Sequence, residues 1–189
     1  PQLSSWARIA LEAIPGPESS EALRKAAESL NGELLVGTLN SIGVRRDAKA
    51  VELLSARLNG KEEEAASAAA VALGHIGNES ATKTLRGALI TSSAKVRSAV
   101  AEGCVLCAER LQAEGYANQA VEIYEDIRKA DVPKQRLIEA TRGAILARGQ
   151  EGIPLLLEQF RSPDKGFFQL ALGTFREFRT KIVDDSGNI

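Results

Sequence analysis

The sequence predicts an all-α protein, an α-solenoid of successive helix pairs, and three observations carry that prediction. Aromatic residues make up only 4% of the 189 residues, while Ala, Leu, Glu and Lys/Arg abound. Apolar residues recur at helical spacing, and no alternating β-branched run is long enough for a strand. One pattern of small and apolar residues also returns along the chain at intervals of roughly 30–40 residues.

The repeat shows in SEALRKAAESL, AKAVELLSARL, SATKTLRGALI, NQAVEIYEDIR and EGIPLLLEQF. A small residue holds one register in each: Ala22, Ala50, Ala81, Ala120 and Gly152. Leu23, Val51, Thr82, Val121 and Ile153 follow one position later, and Ala26, Leu54, Leu85, Tyr124 and Leu156 four positions later. Eight positions later come Leu30, Leu58, Leu89, Arg128 and Phe160. Together these make one helical face. Thr82 and Arg128 interrupt it, and Ile127 is expected to take the buried place in the fourth copy.

Each of these second helices follows a first one: Leu3–Ile14, Glu33–Ile42, Glu62–Ile76, Ala94–Gln112 and Lys134–Arg148, with a sixth opening near Lys165. The units are thus about 3–31, 32–60, 61–92, 93–131 and 132–164, and 165–189 starts another. One pair cannot bury both its faces alone, so stacking completes the core. Residues 1–189 read as a single array. It begins at Pro1 and holds no Met, so it reads as a piece of a longer protein.

In ALGHIGNESATKTLRGAL, Ile76 is expected to end a first helix, with Gly77 in the left-handed conformation that stops it. Asn78 or Ser80 then caps the next helix. Ile42-Gly43 reads as the matching stop one copy earlier, where VRRD makes a turn three residues longer.

This stretch, with SSAKVRSAVAEG after it, resembles the HEAT-like repeat of the phycobilisome-lyase type. The matching positions are Ala72, Leu73, Gly74, Ile76, Gly77, Ala81, Leu85, Val96, Arg97 and Ala99, with Asn78 where the family usually has Asp. Ile153-Pro154 resembles the family's apolar-Pro step. The resemblance is specific over roughly residues 41–101. The fourth unit departs most, and AVEIYEDIRKA is similar to tetratricopeptide helices. The resemblance implies a right-handed superhelix. It does not imply lyase chemistry, because most proteins with such repeats are scaffolds or binding modules.

Individual residues offer little chemistry. His75 is the only histidine, and a zinc site needs three or four ligands, so it reads as structural. Cys104 and Cys107 fall mid-helix at i, i+3 with Val100 and Leu111, a packed stripe and not a redox pair, which would start at a helix N-terminus. Residue 108 is Ala, where a haem-attachment motif needs His. Glu62–Glu64 suit a helix start, and no carboxylate pair is singled out for acid–base work. No catalytic residue, metal site or cofactor is expected.

Arg45, Arg46 and Asp47 are expected to bridge neighbouring repeats through carbonyls or carboxylates, with Arg97 in a matching role. Second helices of HEAT pairs usually line the concave side. The resemblance therefore implies a concave row of Arg24, Glu28, Glu52, Lys83, Arg86, Glu122, Glu125 and Glu158. Its mixed charge, and a formal net charge of −1, suit a protein or peptide partner and not nucleic acid. No apolar run reaches the roughly 18 residues of a membrane span. All five phenylalanines lie late: Phe160, Phe167, Phe168, Phe175 and Phe178. Phe168, Leu172, Phe175 and Arg179 share helical spacing, and this helix is expected to cap the array, to self-associate or to meet further repeats. Trp6 is expected to cover the first pair. The function expected is a non-enzymatic scaffold; the alternative is an accessory or lyase-type protein binding a chromophore or other small molecule. The compartment stays open.

Overall fold

Local signals set the helix ends. Gly77 adopts φ 59°, and its N–H donates to the Leu73 carbonyl at 2.9 Å. The Asn78 side chain then accepts from the Ala81 N–H at 2.9 Å and opens the next helix. Of the two expected caps, Asn78 is the one used.

The computed structural model describes residues 2–186, and among them there are eleven α-helices and no strand. The first helices are α1 (Gln2–Ala13), α3 (Gly32–Val44), α5 (Glu63–Ile76), α7 (Ala94–Ala113) and α9 (Lys134–Arg148). The second helices that follow them in the chain are α2 (Pro17–Ser29), α4 (Val51–Leu58), α6 (Glu79–Thr91), α8 (Ala117–Lys129) and α10 (Ile153–Phe160). The last helix, α11, covers Lys165–Ser186. The described residues are all-α, as the sequence predicts. No helix among the described residues is long and apolar enough to cross a membrane.

The contacts divide the chain into two compact units. One runs to Cys107 and takes in Ala130–Val132; the other holds Ala108–Lys129 and the helices from Pro133 on.

In the first unit, α2, α4 and α6 bury one stripe each. Leu54 and Leu58 on α4, and Leu85 and Leu89 on α6, fall where the repeat places them. On α2 the register differs by three positions. Ala22 is exposed, and Ser19, Leu23 and Ala27 are the buried series. The small residues of these three copies are therefore Ser19, Ala50 and Ala81, an even spacing of 31 residues. The longer turn before α4 winds as a short 3-10 helix, Ala48–Ala50, capped by the Asp47 side chain.

Gly43 is not the stop that its sequence neighbours suggest. Helix α3 continues to Val44, and the left-handed residue beyond it is Arg46, at φ 50°. Gly43 instead lies buried inside α3, where a Cβ would stand 2.8 Å from the Ala72 Cα of α5. Likewise a Cβ on Gly74 of α5 would stand 2.5 Å from the Gly103 Cα of α7. Bare backbone thus meets backbone along α3, α5 and α7, and the space beneath fills with Leu35, Leu39, Ile42, Leu73, Val100, Cys104 and Cys107. The two cysteines are buried and form no disulfide, so the packed-stripe reading describes them.

Arginines join the copies. Arg45 donates to the carbonyls of Leu11, Ile14 and Gly16 at 2.7–2.8 Å. Arg57 donates to the Ala27 carbonyl of α2 at 2.6 Å. Arg97 donates to the Ser92 carbonyl at 2.8 Å and reaches the carbonyl and carboxylate of Asp131. The bridging expected of Arg45 and Arg97 is what the structure shows. Trp6, expected to cover the first pair, is 69% exposed.

In the second unit, Tyr124 of α8 lies on α9 where Gly143 leaves room for its ring. Ile127 is buried and Arg128 is half-buried, as the fourth copy requires. Helix α11 folds onto α9 and α10 through Leu170 and Ala171, which cluster with Ile145 and Leu156, with Phe178 packed beside them. Its other face leaves Phe168, Leu172 and Phe175 exposed. Phe160 meets Phe168 and Phe175 edge-to-face, at 6.0 and 6.3 Å between ring centres. The Arg179 side chain lies outside the described residues.

Candidate docking surfaces

The second-helix row divides into covered and exposed side chains. In the first unit Arg24 is ion-paired with Asp47 of the next copy, and both are largely covered. Its charge serves the joint between copies as much as any surface. Glu28, Glu52 and Lys83 are exposed and Arg86 is half-buried. Glu52 and Lys83 sit two positions beyond their small residues, Ala50 and Ala81, so they recur at the 31-residue spacing. Beneath them the Ser55 and Thr84 hydroxyls, 3.4 Å apart, tie α4 to α6.

In the second unit Glu122 and Glu158 are exposed, while Glu125 is held. Its carboxylate accepts from Arg128 at 2.6 Å and from Arg148 at 2.8 Å. Burial pushes this carboxyl up, but the hydrogen bonds from Arg148 and Arg128 outweigh it and hold it below the usual glutamate range. The native form therefore binds its proton less readily than the unfolded chain. The stability this contributes is complete above the unfolded value near 4.5 and fades as pH falls through the lower native value. Glu125→Gln is expected to cost about 1–2 kcal/mol at neutral pH. Urea unfolding at pH 7 and at pH 3 checks this: the penalty should shrink at the acid end. Glu158 borders a cavity of about 190 Å³ whose other walls include Arg128, Thr141 and Gln159.

The first-helix layer holds a larger hollow, which the row above does not include. A groove of about 620 Å³ lies over α3, α5 and α7 in the first unit. Ser67, Ala68 and Val71 of α5 form its floor, between Val36 and Asn40 of α3 and Lys95 and Ala99 of α7. Glu63 and Glu64 close one end, and Lys95 pairs with Glu63 at 3.0 Å. Midway along the groove α5 presents only the small side chains of Ser67 and Ala68, between Glu64 and Val71. The other alanines of α5 are buried on its inner side. His75 sits half-buried at the end of α5, one turn past Val71. Among the described residues no three His, Cys, Asp or Glu side chains converge as a metal site requires.

Comparison with known proteins places this architecture. No curated protein matches the chain in sequence. A complex of CpcE and CpcF of phycocyanin lyase from Nostoc sp. PCC7120 is similar in structure, at 19% identity and a TM-score of 0.56, over 90% of this chain and 68% of that one. An engineered protein matches at 19% identity and a TM-score of 0.54, over 95% of this chain and 87% of its own. A designed armadillo repeat protein matches at 17% identity and a TM-score of 0.52, over 93% of each chain. At these identities the likeness is one of fold, the helical repeat solenoid. Residues 20–104 match the family model described as HEAT repeats, the stretch that holds the resemblance seen in the sequence.

Proposed function

We propose that the chain is a non-enzymatic interaction scaffold that presents the second helices to a protein or peptide partner. The observation that carries this reading is the pair Glu52 and Lys83. Both are exposed, at the same register one repeat apart, on helices whose opposite faces are buried. A rigid core thereby sets the distance between opposite charges, the work a repeat surface does well. Charges placed this way give specificity and encounter rate more than raw affinity. Glu28 and Arg86 extend the row in this unit; Glu122 and Glu158 are exposed in the other.

The test is capture of a partner by the intact chain against a Lys83→Glu/Arg86→Glu variant whose melting curve matches the parent. We expect capture to fall by about tenfold or more. Equal capture would count against the second-helix surface.

One observation favours a second reading. The groove over α3, α5 and α7, at about 620 Å³, lies within the range of small-molecule pockets, and one protein of similar fold is a phycocyanin lyase complex. An accessory or lyase-type role with a chromophore would give an absorbance change when a linear tetrapyrrole is added. The scaffold reading expects none.

A further inference from the structure

The groove on the first-helix layer carries an inference that stands apart from the second-helix surface. We infer that it receives an amphipathic helix from a partner protein, one with a stripe of medium-sized apolar side chains and a Lys or Arg directed at Glu64.

The occupant's backbone follows from the floor. Ser67, Ala68 and Val71, flanked by Val36 and Ala99, offer methyl groups along most of its length. Only Asn40 and Ser67 could serve the backbone N–H and C=O groups of a bound chain away from the charged end. An extended segment would press a row of such groups against these methyls without partners, at a cost of about 1–3 kcal/mol each. A helix satisfies its own backbone and brings only side chains to the surface.

The shape agrees with this. Val36 and Asn40 on α3, and Lys95 and Ala99 on α7, are each four residues apart and flank the Ser67, Ala68 and Val71 row of α5. Ridges at that spacing take the side chains of another helix between them. The lining of α5 runs from Glu63 to Val71, a trough of about 12 Å at 1.5 Å per residue, room for an i, i+3/i+4, i+7 stripe.

The charge follows from the end wall. The groove holds two carboxylates, Glu63 and Glu64, against one ammonium, Lys95. Lys95 is committed to Glu63. Glu64 is exposed and has no ion pair or hydrogen-bond partner among the described residues. A cation on the incoming helix would complete a second pair at this end, and an acidic helix would be repelled.

The experiment is selection of displayed single-helix peptides with randomised faces on the intact chain, followed by binding of the selected peptides to Val71→Glu and Glu64→Lys. Both substitutions fall on the outer row of α5, and matched melting curves confirm the fold. Peptides with a basic residue and an apolar i, i+3/i+4, i+7 stripe should be enriched. They should lose about tenfold or more in affinity to each variant, the loss of one charged or apolar anchor. Failure to enrich any peptide, enrichment of acidic peptides, or binding to either variant as tight as to the parent would overturn the inference. So would light scattering that shows a dimer of the chain dissolved by Val71→Glu, since a second copy would then be the occupant. Lys83→Glu/Arg86→Glu should bind the selected peptides normally, and loss there would also overturn it.

Discussion

Gly103→Val is expected to lower the stability of the first unit by about 3 kcal/mol or more, the upper range of overpacking. A Cβ at this position would stand 2.5 Å from the Ala70 carbonyl oxygen and within 3.1 Å of both Leu85 methyl groups. The methyls can turn aside, but the carbonyl belongs to the backbone of α5, whose own Gly74 already lies against Gly103. Relief requires α5 and α7 to separate, which opens the core beneath them at Leu73, Val100 and Cys104. Valine also loses rotamer freedom in a helix. Gly87→Ala on α6 is the informative contrast, because nothing lies within 4 Å of its Cβ. There the only effect is helix propensity, and a gain of about 0.5–1 kcal/mol is expected. Urea melts of both variants check the pair, with the slope of each transition watched for loss of two-state behaviour. A Gly103→Val protein as stable as its parent would mean that the two helices do not touch here.

The buried series on α4, α6 and α8 was legible because Ala50, Ala81 and Ala120 are each followed four positions on by a large buried side chain, Leu54, Leu85 and Tyr124. The first copy was misread by three positions. In a helix of 3.6 residues per turn, a shift of three or four keeps much of an apolar stripe in phase. Ala22, Ala26 and Leu30 therefore imitate the pattern that Ser19, Leu23 and Ala27 fulfil, and the serine conceals the true register. Gly43 shows a different limit. Ile42-Gly43 and Ile76-Gly77 look alike, yet only Gly77 leaves the helix, because Gly43 is needed inside α3 to admit Ala72. The contact that decides between the two roles comes from a residue 29 positions away. Arg8, unremarked in the sequence, is a similar case. It reaches the Gly37 carbonyl at 2.8 Å, over a glycine whose absent side chain admits the guanidinium. The groove depends on the relative heights of three helices, and no single segment contains that information.

Arg45→Ala is expected to cost about 2–4 kcal/mol and to loosen α1 ahead of the rest of the first unit. The reason begins with IPGP, residues 14–17, directly after α1. A helix end leaves its last carbonyls without partners, and the following residues usually turn back to supply N–H donors. Pro15 and Pro17 have no N–H to give. Arg45, at the end of α3, fills the role with one guanidinium: Nη1 serves the carbonyls of Leu11, Glu12 and Ile14, Nη2 that of Gly16, and Nε the Ser20 hydroxyl. Charged hydrogen bonds contribute about 1.5–3 kcal/mol each in isolation, but five from one group share a single desolvation and do not add. Water reaches the exposed part of this joint and limits the loss further. Lysine cannot repeat the planar fork, so Arg45→Lys should recover less than half of the stability. Hydrogen exchange gives the sharper readout. Amides of α1 and of the start of α2 should lose protection in Arg45→Ala, while those of α5 and α6 keep theirs. Uniform loss across the unit would show that α1 is cooperative with the core and needs no arginine to hold it. Undiminished protection of α1 would show that water caps the helix as well as Arg45 does.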